Sequence, residues 1–148
     1  MAKQIVRRTD GLLAEPAGRG IYATAIRSKG DFVFMMGQGG YDFDGYFVGA
    51  GDAGLQAEQA CKNILKLLAE VGGDIVDLCK LTVYLTDISH RHTVYTTIEN
   101  SFRGGTFCRT GVVVTSLGPP ELLVKIDAFA VIGRRELRRR PVPSTAGR

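Results

Sequence analysis

Arg109 stands in the run Thr106-Phe107-Cys108-Arg109-Thr110-Gly111-Val112-Val113-Val114, whose other members are apolar, small or hydroxylated. β-Branched and aromatic residues dominate this run and Gly118-Pro119-Pro120 ends it, which predicts a buried strand. A guanidinium cannot shed its charge, so inside such a strand it is either paired or waiting for an anion. Eighteen residues on, Asp127 interrupts a second apolar run, Leu122 to Ile132. Alternation puts Arg109 on a face with Phe107, Gly111 and Val113, and Asp127 on a face with Lys125 and Phe129. A direct hairpin about Pro119-Pro120 would bring Arg109, Lys125 and Asp127 onto one face. Gly111 would then leave room and bare backbone beside the guanidinium. Such a set can grip a small carboxylate in a planar two-point contact, while a neighbouring carboxylate orders and polarises a water as general base. The competing reading is a structural Arg–Asp pair bracing a subunit interface. Spacing alone leaves both open.

Other reactive side chains offer less. His90 and His92, at i and i+2 on a helix, would point to different sides, which argues against a shared metal. Cys61, Cys79 and Cys108 form no Cys-x-x-Cys pair and read as core thiols of a protein in a reducing cytosol. Gly37-Gln38-Gly39-Gly40 lacks the Lys-Ser/Thr of a phosphate loop, and no helix follows it directly. It reads as a bend where another backbone comes close.

The 148 residues suffice for one domain with its own core. No apolar run approaches the ~20 residues of a membrane span. No apolar signal core follows Met1-Ala2-Lys3-Gln4, so a cytoplasmic location is expected. The net charge of +4 is unevenly spread. Residues 22–132 hold nine Lys/Arg against twelve Asp/Glu, while Arg134, Arg135, Arg138, Arg139, Arg140 and Arg148 crowd the end. Residues 1–133 are therefore read as a single domain and 134–148 as a basic, flexible tail. The body has no basic groove interleaved with aromatics, which disfavours nucleic acid as the partner.

The elements follow from periodicity. Residues 1–20 read as an extended lead-in, followed by strands at Ile21–Ser28 and Phe32–Met36 and a short edge strand at Gly45–Val48. Asp52 caps a helix to about Val71, with Ala57, Ala60, Ile64, Leu67 and Val71 as its inward stripe and Gly72-Gly73 as its stop. Leu78 to Asp87 predicts a strand with Cys79, Leu81, Val83 and Leu85 on one face. A second helix at about Ile88 to Arg103 would turn Val94, Tyr95, Ile98 and Phe102 inward. In the last strand Leu122, Val124, Ile126, Ala128, Ala130 and Ile132 make an unbroken apolar face suited to lie under two helices. Its other face, Leu123, Lys125, Asp127, Phe129 and Val131, is too apolar for open water and too charged for a core. That face predicts burial against another copy of the chain.

These residues, in this order, resemble the Rid family of reactive-intermediate imine and enamine deaminases. The landmarks are Gly20-Ile21-Tyr22, Met36-Gly37-Gln38, Gln56-Ala57-Glu58-Gln59-Ala60 with Asn63-Ile64, and Val71-Gly72-Gly73. They continue through Val83-Tyr84-Leu85-Thr86-Asp87, Arg109-Thr110 and Lys125-Ile126-Asp127-Ala128-Phe129-Ala130-Val131. The resemblance covers about residues 20–132. It implies an α+β, chorismate-mutase-like fold, two helices on one face of a β-sheet, in a homotrimer that buries the other face and has clefts between subunits. It implies hydrolysis of 2-imino acids or their enamine tautomers to 2-keto acids and ammonia, without cofactor or metal. The arginine that grips the substrate carboxylate falls on Arg109, the early tyrosine on Tyr22, and the glycine after the second strand on Gly37. The family's water-positioning glutamate falls on Lys125, leaving Asp127 as the nearest carboxylate able to stand in. A serine common before the glycine is Met36, a cysteine common after the arginine is Gly111, and an asparagine common in the second helix is Tyr95. Two alternatives stand beside deamination of simple imino acids. One is a trimeric, non-catalytic binder of small carboxylates; the other is a specialised catabolic enamine deaminase, such as an aminomuconate-type enzyme.

Overall fold

A computed structural model describes residues 3–7 and 21–133. Gly20, the other residues of the lead-in and the basic tail lie outside the described residues. Strand β1 (Gln4–Val6) pairs antiparallel with β2 (Ala25–Arg27) as a separate two-stranded ribbon, so part of the expected lead-in is a strand. The main sheet holds β3 (Asp31–Gln38), β4 (Leu78–Leu85), β5 (Cys108–Val113) and β6 (Val124–Ile132) in the order β3-β6-β4-β5. β6 runs antiparallel to both neighbours, and β5 runs parallel to β4.

Two helices cover one face of this sheet: α1 (Ala53–Glu70) and α2 (Arg91–Ser101), the latter entered through a 3-10 turn at Ile88–His90. The Asp52 carboxylate accepts from the Leu55 N–H at 3.0 Å, and Gly72-Gly73 ends α1, with Gly73 N–H donating to the Leu68 carbonyl at 2.8 Å. Ala57, Ala60, Ile64 and Leu68 form its buried stripe, so the stripe follows Leu68; Leu67 is only partly buried and Val71 is exposed. Among the described residues no helix is long and apolar enough to cross a membrane.

The core lies between helices and sheet. Val124, Ile126, Ala128 and Ala130 of β6 are fully buried, joined by Leu81, Val83 and Leu85 of β4 and by Val94, Ile98 and Phe102 around α2. Each large side chain among them contributes roughly 1.5–3 kcal/mol by leaving water. Two buried polar residues of α1 tie loops to this core. Gln56 donates to the Gly49 carbonyl at 2.9 Å and accepts from Leu123 N–H at 2.8 Å; Asn63 donates to the Tyr41 carbonyl at 2.7 Å.

Four further local expectations change. Residues 45–48 form no strand, only a bridge between Tyr41 and Phe47. The register slips between Leu78 and Lys80, so Leu78 takes the core position expected for Cys79. β5 is the sheet's edge, exposed from Thr110 onward, and within one chain is not a buried strand. β5 and β6 also form no hairpin about Pro119-Pro120, because β4 lies between them.

Candidate functional site

Strand order decides which side chains can meet. Arg109 pairs with Leu81 and Gly111 with Val83, and both β4 partners are fully buried under the helices. Arg109 and Gly111 therefore face the helix side at the sheet's parallel edge, where α2 overhangs. Residues four apart on a helix lie on one face, and here Tyr95 and Glu99 face the guanidinium. The Arg109 Cζ lies 3.6 Å from the Tyr95 ring centroid and 3.8 Å from that of Tyr22. Tyr22 is buried and held in place by backbone bonds to Phe107, including Ala23 N–H to the Phe107 carbonyl at 3.0 Å, and by edge-on packing against the Phe107 ring.

The polar contacts form a short chain. Arg109 Nη1 donates to the Tyr22 hydroxyl and lies 3.7 Å from Glu99 Oε1, and the Tyr22 hydroxyl donates to that same oxygen at 3.0 Å. Nε and Nη2 have no protein partner among the described residues. Arg109 lines a cavity of about 260 Å³ with Leu85, Ile88, Arg91, Tyr95 and Gly111 among its walls. A β-carbon at Gly111 would overlap the Tyr95 hydroxyl. The small residue at 111 and the large one at 95 thus fit one another, two departures from the Rid pattern that compensate in space.

A second cluster occupies the opposite, open face. Asp127 pairs with Thr82 and Lys125 with Tyr84, on the side away from the helices. The Tyr84 hydroxyl donates to Asp127 Oδ2 at 3.3 Å. The charge of Asp127 raises the Tyr84 hydroxyl above the usual tyrosine range, so it stays protonated as a donor. Gly37 is the shoulder of this cluster: a β-carbon there would come 2.7 Å from Asp127 Oδ1 and 2.9 Å from Lys125 Cε. Around it the face is apolar, with Phe32, Phe34 and Met36 more than two-thirds exposed and Phe34 edge-on to Phe129 at 5.4 Å.

The expected single constellation is thereby corrected. Tyr22, Tyr95, Arg109 and Gly111 come together; Gly37, Lys125 and Asp127 come together; the sheet separates the two groups within a chain. The error lay in the assumed hairpin, since inserting β4 sets Arg109 opposite a core residue rather than opposite Asp127. Glu99 was not foreseen. Its signal was the i, i+4 spacing from Tyr95, legible once Tyr95 is placed beside Arg109. Among the thiols, Cys61 is buried and pushed up to about 12 by that burial, which leaves it inert, whereas Cys79 and Cys108 are only partly buried.

A mixed four-stranded sheet with two helices on one face and an arginine pocket at its parallel edge defines a small α+β protein of the Rid type. The model of the endoribonuclease L-PSP family matches residues 12–132, and the chain belongs to that family, of which the Rid proteins are part. It is 30% identical to a 2-iminobutanoate/2-iminopropanoate deaminase from Rattus norvegicus over 129 residues, covering 87% of this chain and 93% of the relative. It is 29% identical to a RutC family protein from Pyrococcus abyssi, covering 88% of this chain and 98% of the relative. Among solved structures, a Rid family protein from Yersinia pestis superposes with a TM-score of 0.79 at 21% identity, covering 89% of this chain and all of that one. A RidA from an Antarctic Psychrobacter superposes with a TM-score of 0.63 at 26% identity, covering 87% and 99%.

Proposed function

We propose that the chain hydrolyses 2-imino acids, or their enamine tautomers, to 2-keto acids and ammonia, at sites shared between the copies of a homotrimer. The observation that carries this reading is Arg109, whose Cζ lies over two tyrosine rings and whose Nε and Nη2 have no protein partner among the described residues, beside a small cavity. Two rings this close restrain the guanidinium, and its remaining N–H edge can meet a planar carboxylate in two-point contact. Glu99 and Tyr22 hold Nη1 and keep that plane from turning. A cavity of this size suits a small carboxylate better than a polynucleotide. The named activity of the rat relative supports the same reading.

The chemistry asks little of the protein. An iminium carbon is already electrophilic; a water oxygen adds to it, one water proton passes to a base, and the nitrogen collects a proton. As the C–N bond breaks, the hydroxyl oxygen forms the C=O and gives up its proton, which the departing ammonia takes up, leaving the keto acid and an ammonium ion. Arg109 binds and orients the carboxylate, with Tyr22, Tyr95 and Gly111 shaping the pocket. Asp127 is the proposed base, with Gly37 giving close access and Lys125 adding positive charge for an anionic substrate. Because Asp127 and Arg109 face opposite sides of one sheet, this assignment requires Asp127 to come from a neighbouring copy. The exposed Phe32, Phe34 and Met36 face supports such a contact, as an apolar sheet face that demands cover.

The test is ammonia release from 2-iminopropionate, generated in situ by an amino-acid oxidase, for the wild type and Arg109→Ala. Removing one side of a buried charge contact costs about 2–5 kcal/mol, so the variant should lose on the order of 30- to several-thousand-fold in kcat/KM. Equal rates for both proteins would refute the role of Arg109. Lys125, a cation where the family carries glutamate, favours a second reading: a trimer that binds small carboxylates without turning them over. Keto-acid binding with no ammonia release would establish that version.

A further inference from the structure

The cavity beside Arg109 has a second guanidinium on its wall. Arg91 opens α2 one turn before Tyr95, and its Cζ lies 5.3 Å from the centroid of the ring that Arg109 approaches at 3.6 Å. The two guanidinium groups can be no farther apart than those distances laid end to end. Both line the same cavity, whose remaining wall includes Leu85 and Ile88. Arg109 has Glu99 beside it, whereas among the described residues Arg91 has no carboxylate within ion-pair distance. Nor does Arg91 serve its helix. It sits in the first turn of α2, which carries no acidic residue, and a cation there opposes the helix dipole. A cation in a place unfavourable to the helix, with no carboxylate partner among the described residues and beside the proposed carboxylate pocket, is suited to an anion from outside.

We infer that the site takes a dianionic substrate: a 2-imino acid with a second carboxylate, its α-carboxylate on Arg109 and its distal one on Arg91. The ligand lies along the Tyr95 face, its aliphatic carbons against Leu85 and Ile88. The reacting imine rests on the deaminase reading above; the two-anion contact does not, since the keto-acid product has the same two carboxylates.

Calorimetric titration of the full chain with 2-oxoglutarate and with 2-oxobutanoate tests this. The wild type should bind 2-oxoglutarate at least tenfold more tightly. Arg91→Gln should remove that tenfold while leaving 2-oxobutanoate within twofold, and Arg91→Lys should restore part of it. Arg103→Gln, which removes the same charge outside this cavity, should leave the preference intact. Equal affinity for the two acids, an equal loss for both in Arg91→Gln, or binding of neither overturns the inference. Ammonia release from 2-iminoglutarate and 2-iminobutanoate separates the two claims. A dianion preference without ammonia from either imine contradicts the deaminase reading alone; ammonia from both at equal kcat/KM contradicts the dianion site alone.

Discussion

Arg109 and Asp127 belong to one sheet, with β4 between their strands, yet their surroundings differ in kind. Arg109 is enclosed by its own chain: its Cζ lies over two tyrosine rings, Glu99 and the Tyr22 hydroxyl hold one nitrogen, and α2 overhangs it. Among the described residues Asp127 has a single side-chain hydrogen bond, from Tyr84, and it lies amid phenylalanines and a methionine that face outward. An enclosed polar group is finished at the level of the chain. A polar group within an exposed apolar face is finished by whatever covers that face, because a large bare apolar patch is costly in water. The proposed shared site rests on this difference: an enclosed Arg109 binding the anion, and an open-face Asp127 supplied as base by a second copy.

The largest effect should follow from keeping the copies apart. Phe34→Asp puts a charge in the centre of the open face, where it touches no residue of the Arg109 pocket. The protein should run as a monomer in light scattering, keep its far-ultraviolet circular dichroism, and release ammonia no faster than buffer. A monomer with wild-type activity would mean that the Arg109 half is sufficient by itself.

A smaller effect should come from the fit between Tyr95 and Gly111. Gly111→Ala forces its methyl into the Tyr95 hydroxyl, and overpacking of this kind costs about 1–3 kcal/mol. Stability in urea should fall by that amount and kcat/KM by about tenfold as Tyr95 is pushed off Arg109. Tyr95→Phe removes the overlapping oxygen, so Tyr95→Phe/Gly111→Ala should be more stable than the two single losses added together. Strict additivity would show that the two positions do not share this space.

The smallest effect belongs to Tyr84. Its hydroxyl, raised by the charge of Asp127, has a folded-state value above its unfolded one. Its hydrogen bond is therefore fully present below the ordinary tyrosine range and is lost as pH rises through the higher folded value. Tyr84→Phe should lower kcat by a few-fold at neutral pH and abolish the part of the alkaline decline that this group causes. An unchanged alkaline limb would assign that decline elsewhere.

What could be read from the sequence was what periodicity encodes. Asp52, the Ala57–Ala60–Ile64 spacing and Gly72-Gly73 bounded α1 within a residue or two. Alternation in 122–132 separated the buried Val124, Ile126, Ala128 and Ala130 from the open Lys125, Asp127 and Phe129. Periodicity stops at the strand, however, and says nothing of which strand lies beside which. Arg109 and Asp127 were assigned to one face only by supposing adjacent strands, and β4 enters between them from an earlier part of the chain. The slip at Leu78–Lys80 hid in the same way, since a bulge inverts the parity that alternation relies on. Tyr95 and Gly111 were each visible as unusual; their contact needed α2 placed over the sheet edge.

The central claim, that Arg109 of one copy works with Asp127 of another, is tested most directly by mixing two damaged proteins. Arg109→Ala and Asp127→Asn, each assayed alone on its preferred imine, should be nearly inactive. Unfolded together in equal amounts and refolded, they should form mixed trimers in which about a quarter of the sites draw both intact halves. Recovery to about a quarter of wild-type activity is the predicted result. No recovery from mixed trimers of the correct mass would contradict the shared site.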